Sequence, residues 1–160
     1  MENIEIKLNV LSKIAKKLNS KDATWAVGAS MLLYFKGIVS EFNDIDIMVV
    51  EEDAEVLKDI LLSLGNMQTS SPNFKCRSKC FWKFNVDGVD IDVMSGFSII
   101  DNDKEYYFPL KAEDIKDYTE VDGVKIPLQS VEEWRTYYKL MGREAKVKMI
   151  DVWLQTQSFL

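Results

Sequence analysis

The chain has no histidine, which excludes Ser-His-Asp and Cys-His catalysis, because both need an imidazole to take and return a proton. Cys76 and Cys80 are its two cysteines. Without histidine, two thiols cannot complete a four-ligand zinc site from the usual nitrogen and sulfur donors, and they read as free or half-buried thiols of a reducing compartment. Cations are outnumbered, with 20 Lys and Arg against 26 Asp and Glu. A broad electrostatic grip on nucleic-acid phosphates is therefore not indicated. No apolar run approaches the roughly 20 residues needed to span a bilayer. The N-terminal segment mixes Glu, Lys and Asn with Ile and Leu at helical spacing, unlike a signal peptide, so the expected compartment is the cytoplasm. Internal repeats, low-complexity segments and a dividing linker are also missing, and one domain over 1–160 is expected.

What is present suffices for a core, since a chain of 160 residues can bury about 68–70% of its unfolded surface. Ile4, Leu8, Leu11, Ile14, Ala15 and Leu18 recur at three- and four-residue steps and predict an amphipathic helix ending near Asn19-Ser20. A short strand over 24–27, a helix over 29–36, an apolar strand over 45–50 and a helix over 51–64 stopped by Gly65 follow. The chain thus opens as alternating strands and helices, an α/β start. Its centre reads as antiparallel: strands over 81–86 and 89–94 flank Asp87-Gly88, and strands over 118–121 and 124–127 flank Asp122-Gly123. Asp-Gly between two such runs is a strong hairpin signal. Ser130-Val131-Glu132-Glu133 has the form of a capping box and predicts a helix through Met141, broken at Gly142 and followed by a last helix over 143–155. The expected class is α+β, a mixed β-sheet with flanking helices and a helical C-terminal tail.

The chemistry concentrates in Gly28-Ala29-Ser30 and, a short helix and loop later, Asp44-Ile45-Asp46-Ile47-Met48. A strand period of two sends Asp44 and Asp46 to one face, where two carboxylates about 4 Å apart repel by roughly 4 kcal/mol at an effective dielectric near 20. A divalent cation removes that repulsion. Gly28 lies where the apolar Trp25-Ala26-Val27 gives way to the helical run from Met31, and such a turn offers free N–H groups and a helix dipole to phosphate. Taken singly, Asp-x-Asp is a solvated edge pair, Gly28 a helix-start glycine and Ser30 a hydroxyl bound to its own backbone. Phosphate cradle followed by metal carboxylates points to nucleotide chemistry.

This order of features resembles the DNA polymerase beta-like nucleotidyltransferases, whose pattern is an apolar residue, Gly, then Gly or Ser, a helix, and a strand carrying Asp-x-Asp. It is similar in particular to small single-domain members, the lincosamide nucleotidyltransferases and the abortive-infection nucleotidyltransferase toxins. The resemblance spans most of the chain, and it implies Mg²⁺, as two ions that Mn²⁺ can replace, on Asp44, Asp46 and a third carboxylate of a later strand. Val89-Asp90-Ile91-Asp92-Val93-Met94 offers both Asp90 and Asp92, which share a face. Asp92, deeper in the strand, fits the family's position better, with Asp90 as the alternative. The N–H groups near Ala29 and Ser30 and the Ser30 hydroxyl are implied to hold the β- and γ-phosphates of a nucleoside triphosphate beside Gly28. Ala29 departs from the commoner Gly or Ser, a change tolerable at a position that works through its N–H. In the tail, the family often turns a Lys and an Arg toward the cleft, and Lys139 and Arg143 share a face if the helix runs through Gly142; a solvated pair is the plain alternative. Glu132 and Asp151 read as structural.

The implied activity moves a nucleoside monophosphate from the triphosphate to a hydroxyl acceptor, releasing pyrophosphate, and the acidity of the chain favours a small-molecule acceptor over RNA. The rival is a module that keeps the fold without catalysis, such as an antitoxin-like partner. Three geometric expectations follow from the enzyme reading. Asp44 and Asp46 should lie within about 8 Å of Asp92, a span set by one or two cations with short metal–oxygen bonds. At least one of these carboxyls should have a raised pKa without metal. Gly28→Val should obstruct the approach of phosphate.

Overall fold

The apolar stripe of the N-terminal segment forms α1 (Glu2–Ser20), which buries Val10, Leu11, Ile14, Ala15 and Leu18. The structure is a computed structural model and describes residues 2–68 and 76–158, the side chains of Glu2 and of residues 76–79 excepted. After α1 come β1 (Trp25–Val27), α2 (Ala29–Phe35), β2 (Ile45–Val49), a 3-10 turn over Glu51–Asp53, and α3 (Ala54–Leu64). The central strands are β3 (Asn66–Gln68), β4 (Cys76–Val86), β5 (Val89–Asp101) and β6 (Lys104–Tyr107). β7 (Asp117–Val121), β8 (Val124–Leu128), α4 (Val131–Leu140) and α5 (Glu144–Gln157) complete the chain.

One sheet takes eight strands in the order β3-β4-β5-β2-β1-β8-β7, with β6 on β5. Parallel pairs occupy its middle, β2 with β5 and β1 with β8, and the remaining pairs are antiparallel. The class is the expected α+β. Within it, the alternating opening behaves differently from a βαβ unit: β1 and β2 pair antiparallel, so α2 and the loop after it reverse the chain instead of carrying it over to a parallel neighbour.

The turns explain the hairpins. Asp87 and Gly88 have φ of 52° and 82°, and Asp122 and Gly123 have 52° and 77°, the two successive positive values that a type I′ turn requires. A third turn of this kind, Asn102-Asp103 at 52° and 61°, joins β5 to β6.

β1 is buried along its whole length, as a strand covered on both faces must be. In β2, Ile45, Ile47 and Val49 are buried while Asp46 is partly exposed. Trp25, Phe84, Phe97, Met31 and Leu32 are among the fully buried side chains, each stabilising the fold by roughly 1.5–3 kcal/mol. Cys80 is a partly buried free thiol, and the Cys76 side chain lies outside the described residues. Among the described residues no helix is long and apolar enough to cross a membrane.

Candidate active site

The parallel pairing of β2 with β5 places Ile45 beside Ile91 and Asp46 beside Asp92. Residues in register point to the same face of a sheet. The buried Ile45, Ile47, Ile91 and Val93 take the core side, which leaves Asp46 and Asp92 together on the other, and Asp44, two residues before Asp46, on that face as well. Their electrostatics report the proximity. Burial, then the Asp92 charge, raises the Asp44 carboxyl; burial, then the charges of Asp92 and Asp44, holds Asp46 well above the ordinary carboxylate value.

Asp90 is exposed near the hairpin end, where its carboxylate accepts a hydrogen bond from Asn85 Nδ2 at 3.0 Å, and its charge also reaches Asp44. Asp92 is paired across the β4–β5 ladder, accepting from Lys83 Nζ at 3.0 Å. Among the described residues no three acidic side chains are grouped so as to hold a metal ion as they stand, and Asp92 is paired with Lys83.

Gly28 links β1 to α2, and its N–H donates to the Asp46 carbonyl at 3.1 Å, tying the turn to the carboxylate strand. A Cβ at Gly28 would lie 2.4 Å from Gln129 Oε1 and 2.6 Å from Trp134 Nε1. Those two groups share a buried hydrogen bond of 2.7 Å. Glycine is thus needed here because Gln129, just past β8, and Trp134 of α4 press against the turn, a packing reason beside the expected approach of phosphate. The left-handed backbone falls on the next residue, Ala29, at φ 54°, a region that costs an L side chain roughly 1–2 kcal/mol. That is the physical reason for glycine at this position in similar turns.

Ser30 sits in the first turn of α2, whose leading N–H groups lack intrahelical partners. Lys146 Nζ donates to Ser30 Oγ at 3.4 Å. The Tyr138 hydroxyl also bonds Ser30; burial, then the Asp46 charge, pushes its pKa up to about 12, so it stays a neutral hydrogen-bonding group. The Arg143 guanidinium lies 5.7 Å from the Tyr138 ring centre. Burial, then the Arg143 charge, lowers the Lys146 pKa. Among the described residues neither cation has a carboxylate partner. Lys146 thus stands at the first turn of α2, and Arg143 beside the Tyr138 ring that bonds Ser30.

Lys139 stands elsewhere. α4 ends at Leu140, Gly142 has φ 76°, and α5 starts at Glu144, so Lys139 and Arg143 do not lie on one continuous helix. Lys139 is exposed, and its charge acts on Asp151. Asp151 in turn accepts from Arg135 Nε at 2.5 Å and Nη2 at 3.2 Å, an α4–α5 tie. Lys146 is the residue that the sequence reading missed. Its signal was Gly142 itself: once the helix restarts there, the cation one turn past Arg143 is Lys146.

Residues 10–152 match the profile of the aminoglycoside-2''-adenylyltransferase family. A search of curated proteins finds no match. Among solved structures, the chain is similar to a candidate nucleotidyltransferase of Thermotoga maritima, with 28% identity, a TM-score of 0.72, and coverage of 93% of this chain and 92% of that one. It shares the fold of ANT(2'')-Ia, solved with adenylyl-2''-tobramycin, at 9% identity, a TM-score of 0.62 and coverage of 96% and 92%. It also shares that of the lincosamide antibiotic adenylyltransferase LnuA, solved with lincomycin, at 12% identity, a TM-score of 0.59 and coverage of 88% and 94%. With a match over nearly its whole length, the chain belongs to the aminoglycoside-2''-adenylyltransferase family of nucleotidyltransferases.

Proposed function

We propose that the protein moves a nucleoside monophosphate from a nucleoside triphosphate to a hydroxyl of a small molecule, with Asp44, Asp46 and Asp92 holding divalent cations. The observation that carries this reading is the in-register pair Asp46 and Asp92, tied through the Gly28 N–H and Asp46 carbonyl to the turn that leads into α2 and Ser30. The donor set fits Mg²⁺ or Mn²⁺, because carboxylate oxygens are the hard ligands these ions take. The mutual repulsion of Asp44, Asp46 and Asp92 is what such an ion would relieve. When bound, the metal supplies charge neutralisation and polarises phosphoryl oxygens.

The remaining work falls to the chain. The Ser30 hydroxyl, the first N–H groups of α2, Arg143 and Lys146 hold the β- and γ-phosphates, the part that leaves. Asp92 takes the proton of the acceptor hydroxyl as its oxygen attacks the α-phosphorus. The new O–P bond forms while the bond from the α-phosphorus to the bridging oxygen breaks, and pyrophosphate departs with that electron pair, its charge met by Arg143 and Lys146. Tyr138, protonated throughout, fixes the Ser30 hydroxyl. The relatives solved with tobramycin and lincomycin support a polyhydroxylated small molecule as acceptor, and the net charge of −6 disfavours RNA.

The test is calorimetric binding of nucleoside triphosphates with Mg²⁺, alongside transfer of labelled nucleotide to a panel of aminoglycosides and lincosamides. Asp92→Asn should keep triphosphate affinity within about tenfold, or roughly 1.4 kcal/mol, and lose transfer. Absence of triphosphate binding by the wild type at millimolar concentration would overturn the enzyme reading in favour of a fold-retaining module.

A further inference from the structure

Lys83 stands directly opposite Asp92 in the antiparallel β4–β5 ladder, so the two side chains share the face that carries Asp46. Their 3.0 Å pair leaves the Lys83 side chain 35% exposed and Asp92 15% exposed. The ammonium is therefore a mobile group on a four-carbon stem, while its partner is anchored in the sheet. The Lys83 charge acts on all of the cluster: Asp44 and Asp46 both feel it, and Lys83 in turn feels Asp92, Asp44 and Asp90. A single tethered cation thus occupies the electrostatic position that a divalent ion would take.

We propose that Lys83 is an internal counter-ion of the carboxylate cluster, holding Asp92 in the metal-free protein and yielding that carboxylate when a divalent cation binds. The inference rests on the metal role assigned above and adds a competitor to it. Two effects oppose metal binding while Lys83 is present. Its hydrogen bond to Asp92 must break, and its positive charge then remains beside the incoming cation. Both vanish when the charge is removed. A merely structural cross-strand pair predicts the opposite, since its loss would loosen Asp92 and weaken metal binding.

The experiment is a titration of the purified protein with Mn²⁺, followed by electron paramagnetic resonance of the free ion, which needs neither nucleotide nor acceptor. Lys83→Met should bind Mn²⁺ at least tenfold more tightly than wild type, and Lys83→Arg should stay within a few-fold of it. Without metal, Lys83→Met should melt below wild type, and saturating Mn²⁺ should narrow or reverse that order. Lys83→Gln serves as a second neutral variant, expected to match Lys83→Met, should the longer apolar chain disturb folding. In an Asp92→Asn background, Lys83→Met should tighten Mn²⁺ binding by a smaller factor than in wild type, because only the charge effect on Asp44 and Asp46 remains. Equal or weaker Mn²⁺ binding by both neutral variants, with wild-type binding intact, would overturn the counter-ion role and leave the proposed function standing. No Mn²⁺ binding by the wild type would overturn both.

Discussion

Ala29 carries backbone strain at the turn between β1 and α2, since φ 54° places its Cβ against the following carbonyl. Ala29→Gly should raise stability by about 1 kcal/mol, read as a higher urea midpoint at unchanged slope. Asp46 makes a different kind of prediction. Its folded carboxyl titrates well above the ordinary value of 3.8, so the folded state binds that proton more tightly than the unfolded chain. The stability linked to this proton is present below the ordinary carboxylate range and is lost as pH rises through the raised value. In chelator, Asp46→Asn should therefore match wild type in acid and become the more stable protein as pH approaches neutrality, as thermal melts across pH would show. A mutant that stays less stable at every pH would contradict the raised Asp46 carboxyl, which burial and then the charges of Asp92 and Asp44 produce. At this scale the shared face of Asp44 and Asp46, and of Asp90 and Asp92, was legible in the sequence from the period of two, whereas the register that sets Asp92 beside Asp46 was not. The true neighbours of Gly28 were not legible, because Gln129 and Trp134 reach it from the far end of the chain.

Local chemistry governs the elements that could be read. Ser130 Oγ accepts from the Glu133 N–H at 3.0 Å, and Glu133 Oε1 accepts from the Ser130 N–H at 2.9 Å, the reciprocal bonds implied by the spacing Ser-x-x-Glu. Ser130→Ala should lower stability by about 1 kcal/mol, measured by urea unfolding. The two Asp-Gly hairpins were legible for the same reason, as turn geometry demands those residues. β6 was not, because Asn102-Asp103 makes its turn without glycine, and neither was β3, three exposed residues paired with β4. The break at Gly142 was legible, and with it the condition under which Lys139 and Arg143 would share a face is not met, leaving Lys139 exposed. A positive φ at Gly142 precedes the start of α5, and the restart brings Lys146 to Ser30 and Arg143 to the Tyr138 ring.

Taken whole, the molecule is a mixed sheet whose class was legible from the mixture of hairpin signals and helical periods. Which strands meet in its middle was not, since β2–β5 and β1–β8 join segments far apart in the chain, and a local pattern does not name a distant partner. That long-range pairing has a kinetic consequence. Asp46 and Asp92 become neighbours only when β2 docks beside β5, with α3, β3 and β4 lying between them in sequence, and closing so long a loop is entropically slow. A cation that needs both carboxylates finds no site on a chain that has yet to make this contact. Saturating Mg²⁺ should therefore leave the refolding rate nearly unchanged and slow unfolding by almost the full stabilisation it confers, a split visible in the two arms of a stopped-flow chevron. The carboxylate pair would then act as a latch that closes after the fold is built, giving the loaded protein its persistence through a longer lifetime and not through faster assembly.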